Sequence, residues 1–362
     1  MKKILLTLLS TIFLLSGCST TQLEPYDFTS IQLGFDTVIS FRAYCESEAE
    51  FEQYKQVLSD AYLEYDQIFS KYNDFKGNIK DLNDHAGTEV EVHPEIIKLL
   101  KEAQKYQELS NNQFDVTMGA LLSIWHHYRE QAENEISYQI PTKDELASVK
   151  DQHGWEHIEI NEDKNSVKIK SKDISLDLGG IAKGYATQRV AEKLTELGLK
   201  HGFINAGGNV VVIGAKPDNS PIRVGLQIPD KTNLQTNSLM SISIEERMAF
   251  VTSGNYQRYY EVDGKTYHHI IDPDTSMPAA FFDSVTIITP DSTMADALST
   301  AFFNMSLEEG HQLLQQLKND GIEIDVIWVS KEPFTQYDGF ISTTSNGYHI
   351  TYSDTLSNRI VK

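Results

Sequence analysis

The chain has 362 residues and a formal charge of −21 at pH 7, because 52 Asp and Glu outnumber 31 Lys and Arg. A surface this acidic disfavours electrostatic binding to nucleic acid, so we expect no nucleic acid partner. The length suffices for one large domain or for two coupled subdomains.

The first residues have the composition of an export signal. Two lysines precede an apolar run over residues 4–15 that is too short to span a bilayer comfortably. The run ends in Leu-Ser-Gly-Cys at Cys18, which resembles the bacterial lipobox, whose cysteine is lipidated and becomes the new N-terminus. An ordinary signal peptide with an incidental cysteine is the alternative. We predict a lipoprotein signal peptide over residues 1–17, lipidated Cys18 and a tether over 18–29, and a folded domain over 30–362.

The lipid anchor determines where the chain is expected to act. It would hold the chain at the cell membrane, facing outside the cytoplasm, and a lipobox cysteine carries more than one acyl chain, as stable attachment requires. With Cys18 lipidated, Cys45 has no partner, so no intramolecular disulfide can form. We expect Cys45 to be a small buried apolar residue.

Hydrophobic periodicity predicts a strand and several helices in the first half. Residues 31–42 alternate and are rich in β-branched side chains, which indicates a strand. Residues 47–69 carry an aromatic stripe at helical spacing, which is typical of a core-facing helix. Tyr72 follows directly, where it could present its ring to a flat ligand. We also expect helices over 94–108 and 119–125, a polar surface segment over 136–151, and three short strands within 155–178.

Residues 175–184 read Ser-Leu-Asp-Leu-Gly-Gly-Ile-Ala-Lys-Gly, which predicts a short strand, a glycine turn and a helix. Asp177 then lies near the end of the strand, and the two glycines lie at a helix N-terminus, which attracts anions. Glycine backbone allows a phosphate or a metal to approach closely. With Lys183 the stretch suits a phosphate ester with a metal, although a tight turn with a capping aspartate fits equally. A Walker loop is excluded because Lys183 precedes a glycine where that loop needs Ser or Thr.

The second half returns to strands, with a second glycine turn at residues 206–209. His268 and His269 follow one another in an alternating strand and face opposite sides, so at most one points into a given site. A single histidine on a strand is more often structural, but the polar turn at 272–275 could present one at the edge of a cleft.

A helix is expected over residues 293–302, capped by Ser292 or Thr293. Asp296 and Thr300 are four positions apart and share one face of this helix. A carboxylate and a hydroxyl one turn apart suit Mg²⁺, which also keeps water and phosphate oxygens as ligands. The alternative is an exposed aspartate beside a threonine that bonds back to its own helix.

Five motifs follow one another along the chain. They are Asp-Leu-Gly-Gly-Ile-Ala-Lys-Gly (177–184), Asn-Ala-Gly-Gly-Asn (205–209), Thr-Ser-Gly-Asn-Tyr (252–256), His-Ile-Ile-Asp-Pro-Asp-Thr (269–275) and Ala-Asp-Ala-Leu-Ser-Thr-Ala (295–301). In order and approximate spacing they resemble the ApbE family of FAD:protein FMN transferases, which are often exported lipoproteins.

The resemblance covers the chain from about residue 30 and implies an α+β fold of two intertwined α/β subdomains with the active site between them. The strand and helix pattern alone indicates only α+β. Ser276 replaces a family glycine after Asp-Pro-x-Thr, and Phe35-Asp36-Thr37 replaces the family Met-Gly-Thr.

The resemblance implies a role for each motif. Asp296, Thr300 and the Gly180 carbonyl are expected to hold Mg²⁺, and His269 is expected to be the general base. A Thr or Ser hydroxyl of an exported acceptor protein would attack the FMN-side phosphorus of FAD, and AMP would leave. Such a step depends mainly on positioning and on charge neutralisation by the metal. The residues expected to line the FAD site are Phe35, Tyr72, Asp115, Val116, Thr117, Asp177, Lys183 and Ile270.

Two other functions stay open. Water as the nucleophile at the same metal site would give an FAD pyrophosphatase that releases FMN and AMP. A surface lipoprotein that only binds flavin has no need of Asp296, Thr300 and His269 converging on the pyrophosphate. Mg²⁺-dependent release of AMP therefore separates the flavin binder from both enzymes.

Overall fold

The structure is a computed structural model that describes residues 22–231 and 238–361. The expected signal peptide and Cys18 lie outside the described residues. Among the helices that are described, none combines the length and the apolar character needed to cross a bilayer.

Helices and strands alternate through the chain in small groups, with short 3-10 turns at Trp155–His157 and Asp354–Leu356. The helices are α1 (Glu48–Phe69), α2 (Ile79–Asp84), α3 (Pro94–Leu109), α4 (Gly119–Glu133), α5 (Lys143–Val149), α6 (Ala182–Glu196), α7 (Ser292–Asn304) and α8 (Leu307–Asn319). The strands are β1 (Glu24–Ser30), β2 (Ile39–Cys45), β3 (Glu89–Glu91), β4 (Ile158–Asn161), β5 (Ser166–Ile169), β6 (Gly202–Ala206), β7 (Asn209–Gly214), β8 (Ile222–Gln227), β9 (Ser238–Ile244), β10 (Met248–Gly254), β11 (Tyr259–Val262), β12 (Lys265–His268), β13 (Ser284–Thr289), β14 (Asp325–Ser330), β15 (Phe340–Ser345), β16 (Tyr348–Ser353) and β17 (Ile360–Val361).

The main sheet has nine strands in the order β1-β2-β6-β7-β10-β13-β14-β16-β15, and its paired neighbours are antiparallel. Helices α1, α6 and α7 pack together over one face of this sheet. The three-stranded sheet β17-β9-β8 shares a second apolar cluster with the other face. Strand β13 is therefore buried along its whole length, although three of its six residues are Ser or Thr. An antiparallel sheet with segregated helices confirms the predicted α+β class.

A smaller apolar cluster stands apart from these layers. Helix α4 packs against α5 and against the β11–β12 hairpin through Trp125, Leu146, Tyr260 and Tyr267. The Trp125 and Tyr267 rings stack with centroids 6.0 Å apart. This α4 cluster supplies one wall of the site described below.

Several predicted elements are confirmed. The aromatic helix predicted over 47–69 is α1, whose N-cap Ser47 accepts a hydrogen bond from the Glu50 N–H. The helix predicted over 94–108 is α3, and the glycine turn at 206–209 joins β6 to β7. Cys45 is a buried free thiol, as expected.

Other expectations are wrong. Residues 24–29, which we expected to belong to the tether, are part of β1. This edge strand packs against the fold through one face, where the ring of Tyr26 stacks on that of Phe51 with centroids 5.3 Å apart. The strand predicted over 31–42 begins only at Ile39. The polar segment 136–151 lies mostly at the surface, as expected, and it also contains α5, which a Thr142–Glu145 capping box starts.

The ends of two site elements also differ from the expectations. The segment 175–178 is not a strand, because Ser175 makes only an isolated bridge with Met118. Helix α7 is capped by Asp291, whose Oδ1 accepts from the N–H groups of Thr293 and Met294, and not by Ser292 or Thr293.

Candidate active site

A cavity of about 940 Å³ is lined both by the helices of the main sheet and by the α4 cluster. This volume lies within the range of small-molecule and cofactor sites. The fold brings together residues from distant segments of the sequence, and ten of the twelve predicted cofactor, metal and catalytic positions line the cavity. These ten are Phe35, Tyr72, Asp115, Asp177, Gly180, Lys183, His269, Ile270, Asp296 and Thr300.

Val116 and Thr117 do not line the cavity, because both are buried behind it. The Thr117 hydroxyl donates to Asp115 Oδ1 at 2.6 Å, and the Val116 carbonyl accepts from the Asp177 N–H at 2.8 Å. The other Asp115 oxygen lies 3.1 Å from His153 Nδ1. The expectation that the whole 115–117 turn lines the site is therefore wrong. Only Asp115 does so, and its two neighbours hold the backbone and the carboxylates in place.

Asp177 is fixed by two groups at the wall of the cavity. Its Oδ2 lies 2.7 Å from Lys71 Nζ, and its Oδ1 accepts from the Gly179 N–H at 2.8 Å. The two charged side chains are only 14% and 17% exposed. Burial opposes ionisation of Asp177, but the Lys71 ammonium outweighs it, so the pKa of Asp177 lies below its ordinary value. Asp177 is therefore an ionised carboxylate whose charge Lys71 neutralises.

Helices α6 and α7 touch at the floor of the site. Asp296 Oδ2 accepts from the Gly184 N–H in the first turn of α6 at 2.7 Å. A Cβ at Gly184 would lie 2.3 Å from the Ser292 carbonyl oxygen, so glycine is required for this approach. Helix α6 has no side-chain cap of its own at Ile181. Asp296 therefore supplies from another helix the acceptor that the N-terminus of α6 lacks.

The three expected metal ligands fit Mg²⁺ in chemical type. Asp296 Oδ1 accepts no hydrogen bond from residues 22–231 or 238–361, so one carboxylate oxygen is available to a cation. A Cβ at Gly180 would lie 3.4 Å from Thr300 Oγ1, which places the two positions side by side. The described residues contain no cluster of three or more His, Cys, Asp or Glu able to hold a metal. The three expected ligands alone would therefore not complete the coordination of Mg²⁺, and water and phosphate oxygens would supply the remaining ligands.

His269 has the geometry of a proton acceptor. Its backbone N–H and its Nδ1 lie 3.1 and 3.3 Å from the Arg258 carbonyl oxygen. A carbonyl can only accept, so Nδ1 carries the proton and Nε2 keeps its lone pair. Burial, reinforced by the Arg258 guanidinium, holds the pKa of His269 well below its ordinary value. The imidazole is therefore neutral at neutral pH and able to take up a proton.

His268 differs from its neighbour because the backbone engages both of its ring nitrogens. Its Nε2 donates to the Ala279 carbonyl at 2.7 Å, and its Nδ1 accepts from the Ile270 N–H at 3.3 Å. Burial lowers its pKa from 6.5 to about 4. Of the two adjacent histidines, only His269 has a ring nitrogen free for chemistry.

Aromatic and aliphatic side chains also line the cavity. Tyr72 is 60% exposed at the rim, and its ring centroid lies 5.4 Å from that of His126 on α4. Phe35 is more deeply placed, with its ring edge against Tyr62. Ile270 adds a buried aliphatic surface. A flat ligand would meet mostly ring faces here.

Sequence reasoning missed four basic side chains that line the cavity. Lys71 could have been noticed because it directly precedes Tyr72, and Arg258 because it follows the Thr-Ser-Gly-Asn-Tyr motif. No local pattern marks His126 and Arg129, which face the cavity only because of how α4 packs. The missed residues are Lys71, His126, Arg129 and Arg258.

Comparison with known proteins agrees with this geometry. The model of the ApbE family matches residues 35–324. The FAD:protein FMN transferase of Klebsiella pneumoniae is 28% identical over 314 residues, which cover 84% of this chain and 89% of that protein. The FAD:protein FMN transferase of Treponema pallidum is 28% identical over 307 residues, covering 80% of this chain and 82% of the relative.

Solved structures show the same fold. The ApbE protein of Thermotoga maritima superposes with a TM-score of 0.76 at 28% identity, covering 94% of this chain and 100% of that one. The flavin transferase ApbE of Vibrio cholerae superposes with a TM-score of 0.70 at 23% identity, covering 93% and 99% of the two chains. The family match over most of the sequence, together with this shared fold, shows that the chain belongs to the ApbE family.

Proposed function

We propose that this chain is an Mg²⁺-dependent FAD:protein FMN transferase that moves FMN from FAD to a Thr or Ser hydroxyl of an exported acceptor protein and releases AMP. The curated relatives reported above carry the coarser name, FAD:protein FMN transferase. The observation that carries the finer proposal is that Gly180, Asp296, Thr300 and His269 all line one cavity.

The metal would be held by Asp296 Oδ1, the Thr300 hydroxyl and the Gly180 carbonyl. When bound, Mg²⁺ would neutralise charge that develops on the pyrophosphate oxygens and would help to orient them. Asp296 Oδ2 cannot swing freely toward the ion, because the Gly184 N–H holds it at 2.7 Å. The contact between α6 and α7 would therefore fix the direction of the remaining carboxylate oxygen.

His269 would accept the proton of the attacking hydroxyl at Nε2. The hydroxyl oxygen forms a bond to the FMN-side phosphorus, the bond from that phosphorus to the bridging oxygen breaks, and AMP keeps the bridging oxygen. The Arg258 carbonyl holds the other ring nitrogen, which keeps the acceptor lone pair on Nε2. The products are a phosphodiester between FMN and the acceptor side chain, and AMP.

Charge balance in the cavity supports binding of a pyrophosphate. Asp177 would repel an anion, but Lys71 neutralises it at 2.7 Å. Lys183 also lines the cavity, and its ammonium lies 3.5 Å from the Gly179 carbonyl oxygen. These cations allow an anionic substrate to enter a chain whose formal charge is −21.

The acceptor should be exported, because we propose that the chain itself is anchored through Cys18 and faces outside the cytoplasm. This part rests on the sequence alone, on the lipobox-like run before Cys18. The anchor would confine the enzyme and a membrane-associated acceptor to the same surface.

One assay tests transfer against its alternatives. The full chain is incubated with FAD and Mg²⁺, with or without a candidate flavoprotein acceptor, and AMP release is measured alongside the intact mass of the acceptor. We expect an acceptor mass gain equal to FMN minus water, and slow AMP release without acceptor. Rapid AMP and FMN release with no mass gain would favour the pyrophosphatase, and no AMP under either condition would favour a flavin binder.

Substitutions at Tyr72 test whether the exposed ring protects bound FAD from hydrolysis. Its exposed ring at the rim would cover the flavin side of the site and limit the access of water. We expect Tyr72→Asn to release AMP faster without acceptor, and Tyr72→Phe, which keeps the ring, to behave like the wild type. Equal acceptor-independent rates in all three proteins would contradict this role for Tyr72.

A further inference from the structure

His126 lines the cavity beside Tyr72 and has no role in the proposed mechanism. It projects from α4, is half-buried and lines the cavity. Its ring lies 5.4 Å from that of Tyr72, with 41° between the ring planes. Two rings from separate parts of the fold thus form one wall.

The tautomer of His126 is fixed by its neighbour. Arg129 Nη2 lies 2.7 Å from His126 Nδ1. A guanidinium can only donate, so Nδ1 accepts, and the single proton of the neutral ring is on Nε2. Burial, together with the charges of Arg129 and Lys71, lowers the pKa of His126, which keeps the ring neutral at neutral pH. His126 Nε2 has no hydrogen-bond partner among the described residues.

The carboxylates near this wall are already engaged. Asp177 is held by Lys71 and the Gly179 N–H, and Glu133 Oε1 lies 3.3 Å from Arg129 Nε. Each of these carboxylates is thus paired with a cation, whereas the Nε2–H of His126 is a donor open to a ligand. The pyrimidine edge of a flavin carries two carbonyl oxygens that accept hydrogen bonds, and the exposed Tyr72 ring beside His126 suits the face of its flat tricyclic ring. The donor at His126 matches the flavin ring.

We propose that His126 Nε2–H donates a hydrogen bond to a carbonyl oxygen of the flavin ring beside Tyr72, and that Arg129 is the positioning residue that keeps this proton on Nε2. The inference rests on the proposed function, because it names the part of the FAD substrate that this wall of the cavity holds. It adds a binding residue and a positioning residue that the sequence motifs do not contain.

The test measures binding and not turnover. The full chain is titrated with FAD, FMN and AMP separately, without Mg²⁺ and without acceptor, and dissociation constants and the visible absorption band of the bound flavin are recorded. His126→Phe keeps a ring but removes the donor, and we expect FAD and FMN affinity to fall roughly 3- to 10-fold, the usual value of one neutral hydrogen bond. AMP affinity should not change. His126→Gln, whose amide N–H can take the place of Nε2–H, should restore most of the flavin affinity.

Arg129 is tested through the same spectrum. Arg129→Met should weaken FMN binding and shift the absorption band toward that of His126→Phe, because the ring proton is then free to move to Nδ1. Arg129→Lys, whose ammonium can also only donate, should keep the wild-type band. A loss of stability alone would not move the band of the flavin that remains bound.

Three results would overturn the inference. These are failure of the wild type to bind FMN, wild-type affinity of the His126→Phe protein for all three ligands, and a fall in AMP affinity without a fall in FMN affinity, which would assign the wall to adenine. If His126→Phe does not fold, His126→Asn removes the Nε2 donor with a smaller side chain. The proposed function is judged separately, since a wild type that binds FAD and FMN through His126 but transfers no FMN from FAD to an acceptor would contradict the function and leave this inference standing.

Discussion

The Asp296 carboxylate contacts helix α6 through one of its two oxygens. Oδ2 accepts the Gly184 N–H at 2.7 Å, while Oδ1 accepts nothing from the described residues. The sequence analysis treated this residue as a possible exposed aspartate, but it is only 5% exposed and joins two helices. A single side chain therefore combines a structural contact with the proposed metal ligand.

Two substitutions at Asp296 should separate these roles. Asp296→Ala should lose Mg²⁺ binding and also destabilise the fold by about 1 kcal/mol, because the first turn of α6 loses its acceptor. Asp296→Asn keeps an oxygen for the Gly184 N–H but loses the charge, so it should unfold like the wild type and still bind Mg²⁺ poorly. Urea unfolding and calorimetric titration of the FAD-loaded proteins measure the two effects. Mg²⁺ affinity equal to wild type in both variants would show that Asp296 is not a ligand.

His269→Ala is expected to separate binding from catalysis. Removal of a general base lowers a rate by roughly two to four orders of magnitude, and the cofactor contacts come from other residues. Transfer to acceptor should therefore fall by that factor while FAD affinity stays close to that of the wild type. Single-turnover mass spectrometry measures the transfer rate, and an FAD titration measures the dissociation constant for FAD. FAD affinity lost together with activity would make His269 a binding residue.

Two turns contain residues with a strained backbone. Ser276 and Asp36, which the resemblance aligns with family glycines, both have a left-handed backbone, with φ of 58° and 48°. Left-handed φ strains residues that carry a Cβ. Ser276 is also the residue whose carbonyl accepts the Trp125 Nε1–H at 2.9 Å, so the strained turn is fixed to α4.

Ser276→Gly should therefore stabilise the protein by about 1 kcal/mol, because the strain is relieved and the buried carbonyl contact is kept. Ser276→Ala is the matched control, since it removes the hydroxyl but keeps the Cβ. Denaturant unfolding should show a gain in the glycine variant only. Equal stability of both variants would mean that the hydroxyl, and not the backbone, determines the energy of this turn.

At the scale of the whole molecule, buried histidines make stability depend on pH. The pKa of His268 is lowered from 6.5 to about 4, so between these values the unfolded chain binds a proton that the folded chain does not. Stability is then lost as pH falls through this window, by about 1.4 kcal/mol per pH unit from this group. His126 and His269, whose pKa values are also lowered, add a slope of the same sign.

His268→Gln isolates this contribution. The glutamine amide can still donate to the Ala279 carbonyl but does not titrate, so its free energy of unfolding should fall less steeply below about pH 6.5. Urea unfolding at several pH values measures the difference in slope. Parallel curves for the variant and the wild type would show that His268 is not the titrating group.

The anchor also belongs to this scale, because it would determine where the molecule acts. Cys18→Ala should leave a precursor without lipid, released to the medium or left uncleaved, and it should move from the detergent phase to the aqueous phase. Cys45→Ala removes the only other cysteine and should leave partitioning unchanged. Unchanged partitioning of Cys18→Ala would rule out the anchor.

The sequence by itself determined what depends on short spacing. Helical periodicity located α1 and α3, glycine pairs located the turn between β6 and β7, and the five motifs indicated the family. Ten of the twelve predicted site residues line one cavity, and seven of these ten lie within those motifs. Local spacing was insufficient for β1, whose pairing with β2 stabilises an edge strand of mixed composition.

Only the tertiary structure decided which side chains meet. Gly184 and Asp296 are 112 positions apart, and their contact depends on how α6 packs on α7. Lys71 reaches Asp177, and His126 reaches Tyr72, only after α1, α4 and the 177–181 turn converge on the cavity. The same packing buries Val116 and Thr117 behind the lining of the cavity. Periodicity is a property of neighbouring residues, whereas partners, charge states and burial depend on contacts between distant segments, which a single sequence does not specify.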